Sequence, residues 1–292
     1  MNHKAGFVNI LGNPNVGKST IMNALVGEKL SIITSKVQTT RHRIMGIVNA
    51  EDFQIVYSDT PGILKPEYKL QEAMMGFVNS ALNDADVILY VTDVKSVPLA
   101  EKEYTERIKA SGIPVIIAVN KIDLTNQDQL EKIVEKWHDA FPGSPVIPVS
   151  GLLKFNLEAL LNAILEKLPA GEPYFPKDQL TDRYERFFAS EIIREKILTN
   201  YKKEIPYSVE IEIENFKEEP SINKIRAIIH VIRDSQKGII IGHKGSMLKK
   251  VGTEARLDME DFFGKKVFLE LYVKVTKDWR NKPVILKRFG YR

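Results

Sequence analysis

Five short runs in the first half of the chain, "GFVNIL", "FQIVYSD", "DVILYVTD", "PVIIAVN" and "PVIPVS", are almost continuously apolar and rich in Val and Ile. A strand with one wet face alternates, so a strand that is apolar throughout has to be covered on both faces. Between the runs lie amphipathic stretches such as "DQLEKIVEKWHDAF", with apolar residues at helical spacing. The pattern predicts an α/β, doubly wound parallel sheet with helices on both sides. "NLEALLNAILEKLP" repeats Leu at helical spacing up to Pro169 and closes this unit.

Composition then shifts. "PAGEPYFPKDQ", Pro169 to Gln179, concentrates Pro and Gly and reads as a linker. Beyond it "DRYERFFASEIIREKILTNY" is amphipathic with Asp182 at the N-cap position, while "YSVEIEIENF" and "SINKIRAIIHVIRD" alternate as half-buried strands. A short helix, a glycine loop, the helix "MLKKVGTEARLDMEDFF" and the strand "KVFLELYVKV" complete an α+β domain. The expected boundaries are 1–170, a linker 171–181, a second domain 182–276 and a basic tail 277–292. With 292 residues the chain can hold two cores. Its longest apolar run, "IPVIIAV", is far shorter than a membrane span, and "MNHKAGF" lacks the apolar core of a secretory signal. A cytosolic protein is expected, which the absence of cysteine fits. From Asp182 onward 24 Lys and Arg face 17 Asp and Glu, a net of +7, against 18 and 21 before it, a net of −3. A basic second half suits a polyanionic partner, or serves only as a solubilising surface.

"GNPNVGKS", comprising Gly12, Asn13, Pro14, Asn15, Val16, Gly17, Lys18 and Ser19, lies between a predicted strand and a predicted helix that opens with Thr20. That is the phosphate-loop pattern: glycines aim N–H groups inward, Lys18 neutralises β/γ-phosphates and the Ser19 hydroxyl is offered to Mg²⁺. "DTPG", Asp59, Thr60, Pro61 and Gly62, ends the second run; Asp59 would hold Mg²⁺ and the Gly62 amide would meet the γ-phosphate. "NKID" places Asn120, Lys121 and Asp123 at the carboxyl end of the fourth run, where ligands bind in such sheets. A carboxylate at Asp123 accepts from the N1–H and amine of guanine but repels adenine, so GTP is expected over ATP. By analogy with other nucleotide sites, Ser150, Gly151 and Leu152 are expected to close the base pocket.

These elements, in this order and spacing, resemble the translation-factor-related small GTPases. With "QTTRHR", Gln38 to Arg43, and the domain beyond the linker, the whole chain is similar to the Era family, bacterial ribosome-assembly GTPases with a C-terminal KH domain. The resemblance implies that Thr40, with Thr39 as the alternative, ligates Mg²⁺, and that Lys18, Thr40, Asp59 and Gly62 carry catalysis. It implies that relatives with the asparagine of "NPNVGKS" use K⁺ near the β/γ-phosphates; Asn15 either binds that ion or only shapes the loop. Ras-like enzymes place a water-orienting glutamine after the DxxG glycine. Here Ile63 stands there and cannot orient water.

"IIIGHKGSMLKK", Ile239 to Lys250, is a second glycine loop without a lysine where a triphosphate needs one. It fits the GxxG loop of type II KH domains, which clamps the backbone of single-stranded nucleic acid. Ile241, Gly242, His243, Lys244, Gly245, Ser246, Lys249, Lys250 and Arg256 are the expected RNA contacts, with "SINKIRAIIHVIR" as the strand against which bases lie. The tail's Lys, Arg and aromatic residues suit nucleic acid or form a solvated end. By family resemblance the RNA is the 3′ end of small-subunit ribosomal RNA, the process is maturation of the small ribosomal subunit, and the protein is a cytoplasmic monomer associating peripherally with the inner membrane face. The rival expectation is a GTPase whose second domain contacts protein or membrane.

Overall fold

Central to the first sheet is β1 (Lys4–Leu11), whose Val8, Ile10 and Leu11 have no solvent exposure. In the computed structural model, which describes residues 3–95 and 102–291, α1 (Lys18–Val26), β2 (Ile44–Asn49), β3 (Phe53–Asp59), α2 (Lys69–Asn83), β4 (Val87–Asp93), α3 (Lys102–Ala110), β5 (Val115–Asn120), α4 (Gln127–Ala140), β6 (Val146–Pro148) and α5 (Leu157–Lys167) follow. Met1, Asn2 and Arg292, the ends of the expected first domain and tail, lie outside the described residues. The strand order is β2-β3-β1-β4-β5-β6, with every pairing parallel except β2–β3. From β1 the chain builds to one side through β2 and β3, then crosses to the other at β4. The carboxyl end of β1 is therefore the point where the connections diverge, the place such sheets bind ligands. Ile88, Leu89, Ile116, Ile117, Ala118 and Val119 are fully buried, as a sheet covered on both faces requires.

The edge strand β2 was not among the predicted strands. Gly46 interrupts its apolar run, and a Cβ there would meet Val26 Cγ2 at 2.7 Å. Its signal was "IMGIVN" followed by the turn residues "NAED"; it pairs with β3 as a hairpin.

The chain forms two compact units, Met1–Glu67 with Gln71–Asp182, and Tyr68–Leu70 with Arg183–Arg292. The expected linker groups with the first unit. Ile47 N donates to Leu180 O at 2.8 Å, Thr181 Oγ1 to Met45 O at 2.7 Å and Met45 N to Asp182 Oδ1 at 3.3 Å. Upstream, Gln54 accepts from Tyr174 N and Phe175 N and donates to Phe175 O. Leu180, Thr181 and Asp182 run along β2 as a strap, while Tyr174 and Phe175 are tied to Gln54 on β3. Asp182 is thereby used on β2 and does not cap the next helix, whose N-cap is Tyr184.

The second unit comprises α6 (Glu185–Asn200), α7 (Ile205–Ser208), β7 (Glu210–Glu218), β8 (Ile222–Val231), α8 (Asp234–Ile241), α9 (Ser246–Phe263), β9 (Lys266–Val275) and α10 (Pro283–Arg288). Its sheet runs β7-β8-β9, antiparallel then parallel. Ile225, Ala227, Ile229 and Val231 face a core with Ile193, Ile197, Val251, Ala255 and Met259. This corrects the expectation that bases lie against β8. That strand is central, its apolar side is filled by the core, and Lys224 and Arg226 on its other side are exposed; the outer strand among the elements packed on α8 and α9 is β9. Residues 277–291 are no free tail either. Trp279 is buried and donates Nε1–H to Ser208 O at 3.0 Å, Tyr291 OH reaches Glu210 Oε2 at 2.7 Å, and Arg288 pairs with Glu212.

Candidate functional site

The loop between β1 and α1 is held by ties that also orient it. Asn120 Nδ2 donates to Val16 O at 2.9 Å and Lys121 Nζ to Asn15 O at 2.6 Å. A planar trans peptide sends its N–H opposite to its C=O. Pinning the carbonyls of Asn15 and Val16 towards the end of β5 therefore turns the N–H groups of Val16 and Gly17 the other way. Gly17 (φ 95°) is needed for the approach, since a Cβ there would lie 2.2 Å from Asn120 Nδ2. Gly62 is also closely packed, 2.6 Å from Pro14 Cα for an added Cβ. Thr60 anchors its turn by donating to Ile10 O at 2.6 Å, and Pro61 beside it is buried.

Lys18 is buried and donates to Gly12 O at 3.1 Å and Asn13 O at 2.9 Å. Burial pushes its ammonium down to about 8, with the Asp59 carboxylate pulling it back up. Ser19 Oγ lies 2.6 Å from Asp59 Oδ2 and 2.9 Å from Thr40 Oγ1, which donates to the same carboxylate oxygen at 3.1 Å. Burial raises the Asp59 pKa, opposed by the Ser19 hydroxyl and the Lys18 charge. Its Oδ1 has no hydrogen-bond partner among the described residues. Two hydroxyls and a carboxylate with a buried oxygen still to be satisfied form a donor set that suits a small hard dication. Of the two threonines, Thr40 reaches this cluster; Thr39 is engaged within its own loop, with Thr34 Oγ1 at 2.8 Å and Lys36 O at 2.6 Å.

A cavity of about 410 Å³ opens beside these groups, lined by Pro14, Asn15, Gly17 to Thr20, Thr40, Thr60, Gly62, Asn120, Lys121, Asp123, Ser150 and Leu152. Asp123 accepts from Ser150 Oγ at 2.6 Å, which orients the carboxylate and leaves it further acceptor capacity. Asn120 is a structural tie, because its Oδ1 also accepts from Gly151 N at 2.9 Å. Ile63 is buried, its N–H given to Gly12 O at 3.1 Å, so it offers nothing to a water. Ile32, Thr34, Lys36 and Leu124 also line the cavity. Sequence reasoning missed them because loop composition carries no fixed spacing to the phosphate loop.

In the second unit Gly242 (φ 72°) ends α8, and Gly245 (φ 80°) begins α9. Between them His243 and Lys244 are exposed, as are Ser246, Lys249 and Lys250, while Ile241 is half-buried. Gly245 N closes the turn on Gly242 O at 3.2 Å. Arg256 sits two turns beyond Lys249 on α9 and is paired with Glu260 at 2.7 Å.

Two family models match: a 50S ribosome-binding GTPase over residues 7–121 and a KH domain over 204–280. GTPase Era of Syntrophus aciditrophicus (strain SB) is 46% identical over 99% of this chain and 95% of its own length. The chain belongs to the Era family of GTPases. A chloroplastic Era GTPase of Zea mays is 44% identical over 99% of the chain and 71% of its own length. Among solved structures, Era in complex with MgGDPNP and nucleotides 1506–1542 of 16S ribosomal RNA superposes with a TM-score of 0.95 at 40% identity, covering 99% of both chains. A variant of Aquifex aeolicus Era bound to GDP and AlF4⁻ superposes equally well, at 40% identity over 99% of both chains. As an Era GTPase the chain combines a P-loop GTPase domain with a KH domain. No helix among the described residues is long and apolar enough to cross a membrane.

Proposed function

We propose that this Era GTPase binds GTP and GDP in the cavity beside Lys18, hydrolyses GTP there, and grips the single-stranded 3′ end of small-subunit ribosomal RNA at Gly242 to Gly245 during maturation of the small subunit. The convergence of Lys18, Ser19 and Thr40, the two hydroxyls bonded to Asp59 behind them, on one cavity closed by Asp123 and Ser150 carries the nucleotide part of this reading. The likeness to Era held with MgGDPNP and 16S RNA supports the rest.

Ser19, Thr40 and Asp59 would hold Mg²⁺, which would supply charge stabilisation to the phosphate oxygens. The chain's own residues do the remainder. The N–H groups of Val16 and Gly17 and the Lys18 ammonium receive the phosphates, and the Gly62 amide meets the γ-phosphate as water attacks in line. Ile63, which stands where Ras-like enzymes have glutamine, has no polar side-chain atom. Asn15 is therefore proposed to share a K⁺ ion with the phosphates, and kcat should be at least about tenfold higher in KCl than in NaCl. Equal turnover in the two salts would reduce Asn15 to a loop-shaping residue.

The RNA assignment is tested by crosslinking the full chain, locked with a non-hydrolysable GTP analogue, to cellular RNA and sequencing what is bound. Reads concentrated at the 3′ end of the small-subunit RNA are expected. An absence of enriched RNA would favour a second unit that contacts protein or membrane.

A further inference from the structure

Two non-glycine residues with left-handed backbones meet at the edge of the nucleotide cavity: Asn15 (φ 64°) and Lys121 (φ 62°). Such conformations are unfavourable for residues with a Cβ, and they persist where surrounding groups hold them, often at functional sites. Here each restrains the other, through the 2.6 Å bond from Lys121 Nζ to Asn15 O. That bond in turn depends on where the ammonium is held. Asp93 supplies the second contact, its Oδ2 accepting from the same Nζ at 2.8 Å.

The sheet explains why Asp93 is there. It is the last residue of β4 and pairs in register with Asn120, the last of β5, so the residue after Asn120 emerges beside its side chain. Asp93 is buried, and its Oδ1 accepts from Lys95 N at 3.1 Å, which fixes the plane of the carboxylate. It does not line the cavity. Its sequence signal was only a carboxylate ending the apolar run "VILYVTD".

We propose that Asp93 is a positioning residue for nucleotide retention. Its carboxylate holds the Lys121 ammonium against the Asn15 carbonyl, and through that bond keeps the phosphate loop in the form whose N–H groups face a nucleotide. The proposal rests on the reading of this cavity as the GTP site. Without the carboxylate the long Lys121 side chain regains its rotamer freedom, the Asn15 carbonyl loses a charge-assisted bond, and the loop relaxes from its left-handed residue.

The test is release of fluorescent mant-GDP from the full-length protein with Mg²⁺ present. D93N, which keeps shape and removes charge, should speed release about tenfold, and K121M should do so at least as much. In the K121M background D93N should add less than about twofold, because its target is gone. An unchanged thermal unfolding midpoint of the first unit serves as the folding check. If D93N fails to fold, D93E takes its place, and the same comparison with and without K121M decides. Release by D93N within about twofold of wild type, or an effect undiminished in the K121M background, overturns the proposal. Failure of the wild-type protein to bind mant-GDP would instead overturn the reading of the cavity.

Discussion

Lys18→Met lowers kcat/KM for GTP by about a thousandfold, because it removes a buried preorganised cation from a developing phosphate charge. The expected loss is this large because the ammonium is enclosed and already aimed by Gly12 O and Asn13 O, so no water takes its place. A pH signature accompanies it. In the free protein burial brings Lys18 down to about 8, and a bound polyphosphate raises it again by favouring the charged form. Below about pH 8 the proton is present before and after binding, and affinity is flat. Above it, binding must take up a proton, so affinity falls by up to about tenfold per pH unit. Calorimetry of GDP binding between pH 7 and pH 9.5, in buffers of different ionisation heat, reads both the slope and the proton. A wild-type affinity that stays level to pH 9.5, or an equal slope in the methionine variant, would remove Lys18 as the cause.

The second large effect is on RNA. Gly245→Asp should weaken binding of a single-stranded RNA probe by at least about a hundredfold, while RNA-free GTP turnover stays at the wild-type value. The two loop glycines separate charge from shape. An added Cβ at Gly242 collides with Met247 Cγ at 2.7 Å, so aspartate there deforms the loop as well as repelling phosphate. At Gly245 nothing lies within 4 Å, and aspartate tolerates the left-handed backbone better than most residues. Its effect is therefore mainly electrostatic, and Gly245→Asn should recover much of the affinity. Filter binding from 50 to 300 mM salt provides the check. RNA affinity and salt slope that are unchanged in the aspartate variant would place the RNA elsewhere or favour a protein-binding second unit.

The nucleotide site was legible because its chemistry depends on residue type at fixed spacing. A glycine loop with Lys18 and Ser19, a carboxylate at Asp59 and another at Asp123 each end a buried strand, and strand ends converge in a parallel sheet. What was hidden depends on partners distant in sequence. Asp182 looks like a helix cap until β2 claims its carboxylate. Alternation in β8 shows two faces but not that both edges are paired. Arg256 belongs to a basic helix by composition, and its pairing with Glu260 one turn on shows only in the structure. Trp279, Leu286 and Tyr291 sit among so many lysines and arginines that their burial is masked in the sequence.

The strap over β2 bears on how the first unit stays separate from other chains. An outer strand with unpaired N–H and C=O groups is a template for pairing with a neighbouring molecule. In this protein the segment just before the second unit occupies that template, through Leu180, Thr181 and Asp182. A first unit ended at residue 170 keeps all six strands but uncovers the side of β2. One ended at residue 182 carries its own shield against aggregation.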